Sequence, residues 1–178
     1  MQQLKKYGIT LKRLEPGEIE LVRTWRNSAA IAEQMEYREY INVEKQRLWF
    51  DQIMESKTAY YFIIIINDKP IGLIHLNRID FELGSAHAGL FIGEQNYIGT
   101  GVVLGASLLL LHFAFYELKI NRIYAKVKKA NTAAIEYNQL LGFERIFKHN
   151  DEFDMFELSK SRYKEKQSFL EKLVNPIS

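Results

Sequence analysis

The alternation of hydrophobic and polar positions predicts short strands and amphipathic helices that follow one another along the chain. Tyr7–Leu14 alternates as a half-buried strand does, and Ile19, Val22 and Trp25 then recur at helical spacing. Ala59–Asn67 is rich in β-branched and aromatic residues, which favours a buried strand. Further strands are predicted at Ile71–Phe81, at Ser85–Gly93, at Arg122–Val127, from Phe143 onwards and at Glu152–Ser159.

Five more helices follow from the same pattern, the last of them in the C-terminal tail. One stretch passes through Ile31 and Met35, and a longer helix begins after Asn42, a suitable N-cap residue. Another begins near Gly101, and a fourth covers Asn131–Leu141. The inner side of the helix after Asn42 is predicted at Leu48, Trp49 and Ile53, and the C-terminal tail forms a helix with Tyr163, Phe169, Leu170 and Leu173 as its apolar side.

The order of these elements predicts one α/β domain over residues 1–178, with a helical tail from about residue 159. No repeat, linker or low-complexity segment interrupts it. The tail is expected to pack either on its own domain or on a second subunit, so a homodimer stays open.

The stretch from Gly101 to Tyr116 contains no charged side chain and raises the question of a membrane span. As a helix it would be about 24 Å long, whereas the hydrocarbon core of a bilayer is about 30 Å thick. Its flanks carry neither a basic cluster nor an aromatic belt. We therefore expect a buried helix of a soluble protein, and no association with membranes.

Composition narrows the function classes further. The formal net charge is +2, so neither nucleic acid nor an anionic surface is indicated as a partner. The chain has no cysteine, which excludes disulfides, thiolate metal sites and a cysteine nucleophile. It also fits a reducing cytoplasm, and the N-terminal segment lacks the features of a signal peptide. No cluster of His, Asp and Glu has metal-ligand spacing, so no metal is predicted.

The polar opening before the uncharged helix, Asn96–Gly101, has the character of an anion-binding loop. The first turn of a helix presents unpaired N–H groups, and glycines let the backbone approach a bulky anion. The spacing fits neither a P-loop nor a dinucleotide fingerprint. On spacing alone, a tight turn that only starts the helix is as good an interpretation as a pyrophosphate site.

The wider segment resembles the acetyl-CoA-binding core of the GNAT family of N-acetyltransferases. In that family a strand leads into a loop [RQ]-x-x-G-x-[GA], and the helix after it ends near "AF..L". A strand and then "N..A...Y...GF" follow. Here "AFYELKI" and "NRIYAKV" are followed by the matching residues Asn131, Ala134, Tyr137, Gly142 and Phe143. Counting back from Phe115 aligns Ile98–Val103 with the loop motif, with Ile98 in place of Arg or Gln and Val103 in place of a small residue.

The resemblance implies a mixed, mostly antiparallel sheet of about six or seven strands flanked by helices. It also implies direct acetyl transfer from acetyl-CoA to a primary amine. A backbone N–H around Leu90–Ile92 would polarise the thioester carbonyl. The cofactor-binding residues implied in this way are Phe91, Ile92, Ile98, Gly99, Thr100, Gly101, Val102, Val103 and Asn131.

The same resemblance suggests the acid and the base of the reaction. Tyr137 would protonate the departing thiolate, the alternative being an aromatic packed on its helix for area. His87 would accept the proton of the amine directly or through a water, the alternative being a histidine satisfied within the sheet. Glu94 is interpreted as a loop carboxylate and His112 as structural, and His75 and Asp80 have only weak support.

The N-terminal half is expected to determine the acceptor. Its "WRN" and "Q..WF" motifs resemble the enzymes that acetylate nucleotide-linked 4-amino-deoxy sugars in pseudaminic-acid synthesis. Ribosomal-protein N-terminal acetyltransferases and spermidine acetyltransferases share parts of these motifs. Arg26 and Asn27 would contact the substrate, the alternative being a pair that ties helix to loop, and Met35 would help wall its pocket. The acceptor predicted is the 4-amino group of such a sugar. The alternatives are a protein N-terminus, a polyamine, or a non-catalytic acetyl-CoA-binding module.

Overall fold

The computed structural model describes residues 3–174, which form eight strands and six α-helices. The strands are β1 (Gln3–Lys6), β2 (Ile9–Arg13), β3 (Tyr60–Ile66), β4 (Lys69–Asp80), β5 (Ser85–Ile92), β6 (Arg122–Lys128), β7 (Glu144–Lys148) and β8 (Phe153–Ser159). The helices are α1 (Ile19–Asn27), α2 (Ala29–Ala32), α3 (Val43–Glu55), α4 (Gly101–His112), α5 (Thr132–Leu141) and α6 (Lys160–Val174).

All eight strands lie in one sheet of order β1-β2-β3-β4-β5-β6-β8-β7. Neighbouring strands are antiparallel except β5 and β6, which are parallel. Residues of α4, α5 and α6 pack into the larger hydrophobic cluster of the sheet, and residues of α1, α2 and α3 pack into a smaller one. The predicted mixed, mostly antiparallel sheet flanked by helices is confirmed.

The N-terminal strand differs from the prediction because it is a hairpin. Tyr7 and Gly8 both have positive φ, of 57° and 70°, and form the turn between β1 and β2. Two consecutive positive φ angles are typical of the tight turns that join antiparallel strands. The polar sequence of β1, Gln-Leu-Lys-Lys, gave no strand signal, so the sheet has one strand more than the upper predicted number.

Two helices bury a different side from the one predicted. On α3, Gln46 and Phe50 are buried, whereas the prediction for Leu48 was wrong because its side chain is 63% exposed. Trp49 and Ile53 do pack against the core. On α6 the buried residues are Tyr163, Leu170 and Val174, and Phe169 and Leu173 are exposed. Similarly, α2 ends at Ala32, so Met35 lies in the segment after it rather than in a helix.

Helix α4 is buried along almost its whole length between the sheet and α6. Gly105 makes this close packing possible, because a Cβ at this position would lie 2.5 Å from Ile9 Cδ1 and 3.1 Å from Val174 Cγ1. Thus α6 lies against its own domain. Within residues 3–174, none of the helices combines the length and the apolar character that crossing a bilayer requires.

Candidate active site

The parallel strands β5 and β6 separate after a short stretch of pairing. Their pairing ends at His87 and Tyr124, although β5 continues to Ile92 and β6 to Lys128. Where two strand edges diverge, their backbone N–H and C=O groups are left for other partners. The sheet therefore opens into a cleft beyond His87.

The hydrogen bonds between β4 and β5 indicate which N–H groups of β5 face this cleft. Gly93 N–H donates to the Ile71 carbonyl at 2.8 Å, and the register of the two strands is regular over the adjoining residues. Successive N–H groups of a strand point to opposite sides, so that of Phe91 faces β4 and those of Leu90 and Ile92 face the cleft. Leu90 and Ile92 thus offer hydrogen-bond donors to the cleft, whereas the Phe91 ring packs edge to face against Trp25 in the smaller hydrophobic cluster.

A cavity of about 870 Å³ occupies the cleft and extends to both faces of the sheet. Side chains of α1 and α3 line one side, and those of α4 and α5 line the other. Its volume is in the range of small-molecule and cofactor sites. Among the residues that the structure describes, the cavity wall contains four cationic side chains, Arg26, Lys45, Arg78 and Lys126, and no Asp or Glu.

The glycine loop ends at the N-terminus of α4, whose first residue is Gly101. Gly99 has a φ of +75°, a conformation that glycine adopts without steric cost. The Thr100 hydroxyl donates to the Tyr97 carbonyl at 2.7 Å, so it does not cap the helix. The N–H groups of Gly101 and Val102 belong to the first turn, where no intrahelical acceptor exists. Together with the positive end of the helix dipole, they form an arrangement that favours an anion.

Ile98 and Val103, the two departures from the family motif, lie in different surroundings. The Ile98 side chain is 57% exposed, so it projects from the loop into solvent. Val103 is buried, and its carbonyl accepts a hydrogen bond from Tyr137 at 3.0 Å. The first departure is therefore at the surface of the loop, and the second is packed inside the protein.

Tyr137 lies on α5 and lines the cavity. Its hydroxyl is 3.0 Å from the Val103 carbonyl and 2.6 Å from Ser107 Oγ on α4. Burial raises the pKa of Tyr137 well above its usual range, so the phenol keeps its proton at neutral pH. Helix α5 is fixed by Asn131, whose side chain accepts the Ala134 N–H at 3.0 Å. Asn131 also lines the cavity, but its Oδ1 is occupied by this cap.

His87 lies where β5 and β6 part, with its ring centroid 5.5 Å from that of Tyr124. Burial lowers the pKa of His87, and the nearby cations Arg78 and Lys126 and the more distant His149 add to this effect. The imidazole is therefore held in its neutral form, which is the form that can accept a proton.

His75, on β4, is a second histidine in the cavity wall. Its ring is stacked on Tyr61 at 4.7 Å and lies over Gly89, where a Cβ would come within 2.6 Å of the ring. Its Nδ1 is buried with no hydrogen-bond partner among the described residues. Burial, with a contribution from Arg26, lowers the pKa of His75 to about 4.

The shifted pKa of His75 predicts that the protein loses stability in mild acid. Below pH 6.5 the unfolded chain binds a proton at this residue, but the folded chain does so only near pH 4. The free energy of unfolding is therefore unaffected by this group above pH 6.5. It decreases as the pH falls from 6.5 to 4, by on the order of 3 kcal/mol. Urea unfolding at a series of pH values should show this loss in the wild type and a smaller loss in His75→Gln. The exposed His112→Gln is the control, and an equal loss in both variants would contradict the assignment.

Arg26 and Asn27 have different surroundings, although they are adjacent in sequence. Arg26 lines the cavity, and burial lowers the pKa of its guanidinium. Its Nε is buried and has no hydrogen-bond partner within residues 3–174. Asn27 donates to the Ile41 carbonyl at 2.8 Å and accepts the Ile41 N–H at 2.9 Å. The Asn27 amide therefore ties α1 to the segment before α3, as in the alternative interpretation of the sequence, and its contact with substrate stays a prediction.

Met35 lies in the cavity wall as predicted, together with aromatic residues of the same side. It packs against the smaller hydrophobic cluster, near Trp49 and Tyr61. The rings of Trp49 and Tyr61 meet edge to face at 5.2 Å. This part of the wall is apolar and lies on the side of α1 and α3, whereas Tyr137 lies on the side of α4 and α5.

The remaining candidates have simpler explanations. Glu94 receives a salt bridge from Lys69 at 2.6 Å near the surface. Asp80 accepts the N–H groups of Glu82 and Leu83 in the β4–β5 turn. Within the part of the chain from residue 3 to residue 174, no group of three or more His, Asp or Glu is arranged to hold a metal ion.

Comparison with known proteins agrees with this geometry. The family model described as the acetyltransferase (GNAT) domain matches residues 9–144. Acetyltransferase PseH of Campylobacter jejuni subsp. jejuni is 29% identical over 126 residues, which cover 71% of this chain and 76% of that protein.

Two solved structures share the fold. The crystal structure of Campylobacter jejuni N-acetyltransferase PseH in complex with acetyl coenzyme A is 26% identical, with a TM-score of 0.66 over 85% of this chain and 99% of that one. The structure of spermidine N-acetyltransferase from Vibrio cholerae in complex with CoA and spermine has a TM-score of 0.79. The match covers 89% of this chain and 99% of that one. Its identity is 20%, so this likeness concerns the fold alone. The family model spans most of the chain, and we conclude that the chain belongs to the acetyltransferase (GNAT) domain family and is an acetyl-CoA-dependent N-acetyltransferase.

Proposed function

We propose that the acceptor is a primary amine that carries negative charge, and specifically the 4-amino group of a nucleotide-linked amino-deoxy sugar. The observation that carries this proposal is the charge of the cavity wall, where the described residues include four cations and no carboxylate. A polyamine bears several positive charges and would be repelled by such a wall. The phosphates of a sugar nucleotide would be attracted to it.

Arg26 supports the proposal most directly. A guanidinium with a buried, unbonded Nε is costly to keep without a counter-charge, because its desolvation is not compensated. Lys45 and Lys126 have carboxylate partners at the edge of the cavity, Glu39 and Glu36. No such salt bridge is present for Arg26 among the described residues. A substrate phosphate would supply the counter-charge, since arginine binds phosphate through paired hydrogen bonds.

The proposed reaction uses groups on both sides of the cleft. Acetyl-CoA supplies the acetyl thioester, with its pyrophosphate at the first turn of α4. The N–H groups of Leu90 and Ile92 stabilise the oxyanion, and His87 accepts the proton of the attacking amine. Tyr137 gives its proton to the departing thiolate. The apolar wall near Met35 suits a deoxy-sugar methyl group or a base.

A thermal-shift titration tests the donor site. Acetyl-CoA and CoA should both raise the melting temperature of the wild type, because each binds only the folded chain. Gly99→Ala should reduce this shift, because alanine at a φ of +75° distorts the loop. Gly8→Ala is the matched control, since Gly8 also has a positive φ, of 70°, but lies in the β1–β2 turn. A wild type that neither ligand stabilises would overturn the donor site.

A thiol-release screen tests the acceptor. UDP-linked 4-amino sugars should give the highest kcat/KM, ahead of N-terminal peptides and polyamines. A preference for spermidine would overturn the argument from the cationic wall. Stabilisation by CoA without thiol release on any amine would favour a non-catalytic module instead.

A further inference from the structure

Ser107 is a buried hydroxyl in a helix whose other buried side chains are apolar. It lies on α4 between Ala106 and Leu108 and is 3% exposed. A buried hydroxyl costs free energy unless it is hydrogen-bonded. Its partner in the structure is the Tyr137 hydroxyl, at 2.6 Å. Ser107 also lines the cavity, although the sequence pattern drew no attention to it.

The number of protons determines the direction of these hydrogen bonds. The Val103 carbonyl can only accept, so the Tyr137 hydroxyl donates its single proton to it at 3.0 Å. Tyr137 Oη and Ser107 Oγ are 2.6 Å apart, and the Ser107 hydroxyl can donate across this distance when the Tyr137 proton points to another acceptor. When the phenol turns its proton towards the cavity instead, the bond from Ser107 does not have to break.

We propose that Ser107 is a positioning residue that holds the Tyr137 oxygen and stabilises it by hydrogen bonding while the phenol proton passes to the leaving sulfur. The inference rests on the proposed role of Tyr137. In this step the C–S bond breaks with its electron pair on sulfur, and sulfur takes the proton of Tyr137. The resulting phenolate keeps the hydrogen bond from Ser107 Oγ–H. The amine nitrogen has by then bonded to the acetyl carbon and lost its proton to His87. His87 releases that proton to solvent and the phenolate takes one up from solvent, so the overall reaction releases a thiol and an amide.

The surroundings of Tyr137 explain why such a donor is needed. Burial disfavours a phenolate, and the hydrogen bond from Ser107 acts in the opposite direction on the pKa of Tyr137. Hydrogen bonds to a charged group are stronger than those to a neutral one. The contribution of Ser107 is therefore larger in the transition state than in the resting protein, as rate enhancement requires.

A double-mutant cycle separates this role from simple packing. S107A should lower kcat about ten-fold with little change in the KM for acetyl-CoA. S107T, which keeps the hydroxyl, should recover most of the rate. In a Y137F background the S107A change should have no further effect, because its target oxygen is absent. If the two losses multiply instead, Ser107 acts independently of Tyr137 and the inference is wrong.

A spectroscopic measurement on the unliganded protein needs no acceptor. With 3,5-difluorotyrosine at position 137, the fluorines make the phenol more acidic and ¹⁹F NMR can follow its titration. S107A should raise the pKa of this phenol by about one unit. An unchanged pKa overturns the inference whatever the acceptor is. A raised pKa with full activity of Y137F would instead overturn the role of Tyr137 as the acid, and with it the catalytic role of Ser107.

Discussion

Tyr137→Phe is expected to lower kcat about 100-fold, because the thiolate then leaves without a proton donor. The KM for acetyl-CoA should change little, since the ring and its packing on α4 are kept. The hydroxyl removed is the one 3.0 Å from the Val103 carbonyl and 2.6 Å from Ser107. Steady-state thiol release on a validated acceptor measures the effect.

The matched control for this prediction is Tyr163→Phe. Tyr163 is another buried tyrosine, on α6, and its hydroxyl is 3.5 Å from the Leu108 carbonyl of α4. It does not line the cavity, so its loss should leave kcat unchanged. Equal rates for Tyr137→Phe and the wild type would remove Tyr137 as the acid.

Arg26→Met is expected to raise the KM for an anionic acceptor about 100-fold, because the buried charge that binds its phosphate is lost. The same substitution should increase the free energy of unfolding without substrate, by about 1 kcal/mol. The reason is that an apolar side chain of similar length replaces a half-buried cation whose Nε is buried without a hydrogen-bond partner among the described residues. Gain in stability together with loss of acceptor binding is the signature of a residue retained for function.

Arg47→Met on α3 serves as the control, since Arg47 is exposed and does not line the cavity. This substitution should change neither the KM for the anionic acceptor nor the free energy of unfolding appreciably. If Arg26→Met destabilises the protein and leaves the acceptor KM unaltered, then Arg26 has a structural role and the anionic acceptor loses its main support.

Local features of the fold followed well from the sequence. Asn42 and Asn131 were expected at the starts of helices, and both cap them through their side chains. The glycine loop before the uncharged helix was recognised as a potential anion site, and Gly99 indeed has a positive φ. These features depend on residues a few positions apart, so the sequence contains the information that they need.

The position of the loop motif depends on a count of residues along the helix after it. The loop motif is placed by counting back from Phe115, which assumes that this chain has as many residues between the loop and the helix end as the family motif has. The structure has a π-helical segment, Phe113–Glu117, in which Leu118 N–H donates to the Phe113 carbonyl at 3.0 Å. Such a segment adds a residue to a turn, and no periodicity in an all-apolar stretch could reveal it.

The sequence by itself determined the order of the elements after β1, the asparagine caps of α3 and α5, the buried uncharged helix and the family resemblance. The tertiary structure alone decided where β5 and β6 part, that Arg26 lines the cavity while Asn27 is bound to Ile41, and that Ser107 meets Tyr137. The physical reason is that burial and hydrogen bonding at the cleft depend on segments far apart in the chain. Whether a side chain lacks a partner, and is thereby free to bind a ligand, is known only when those segments have come together.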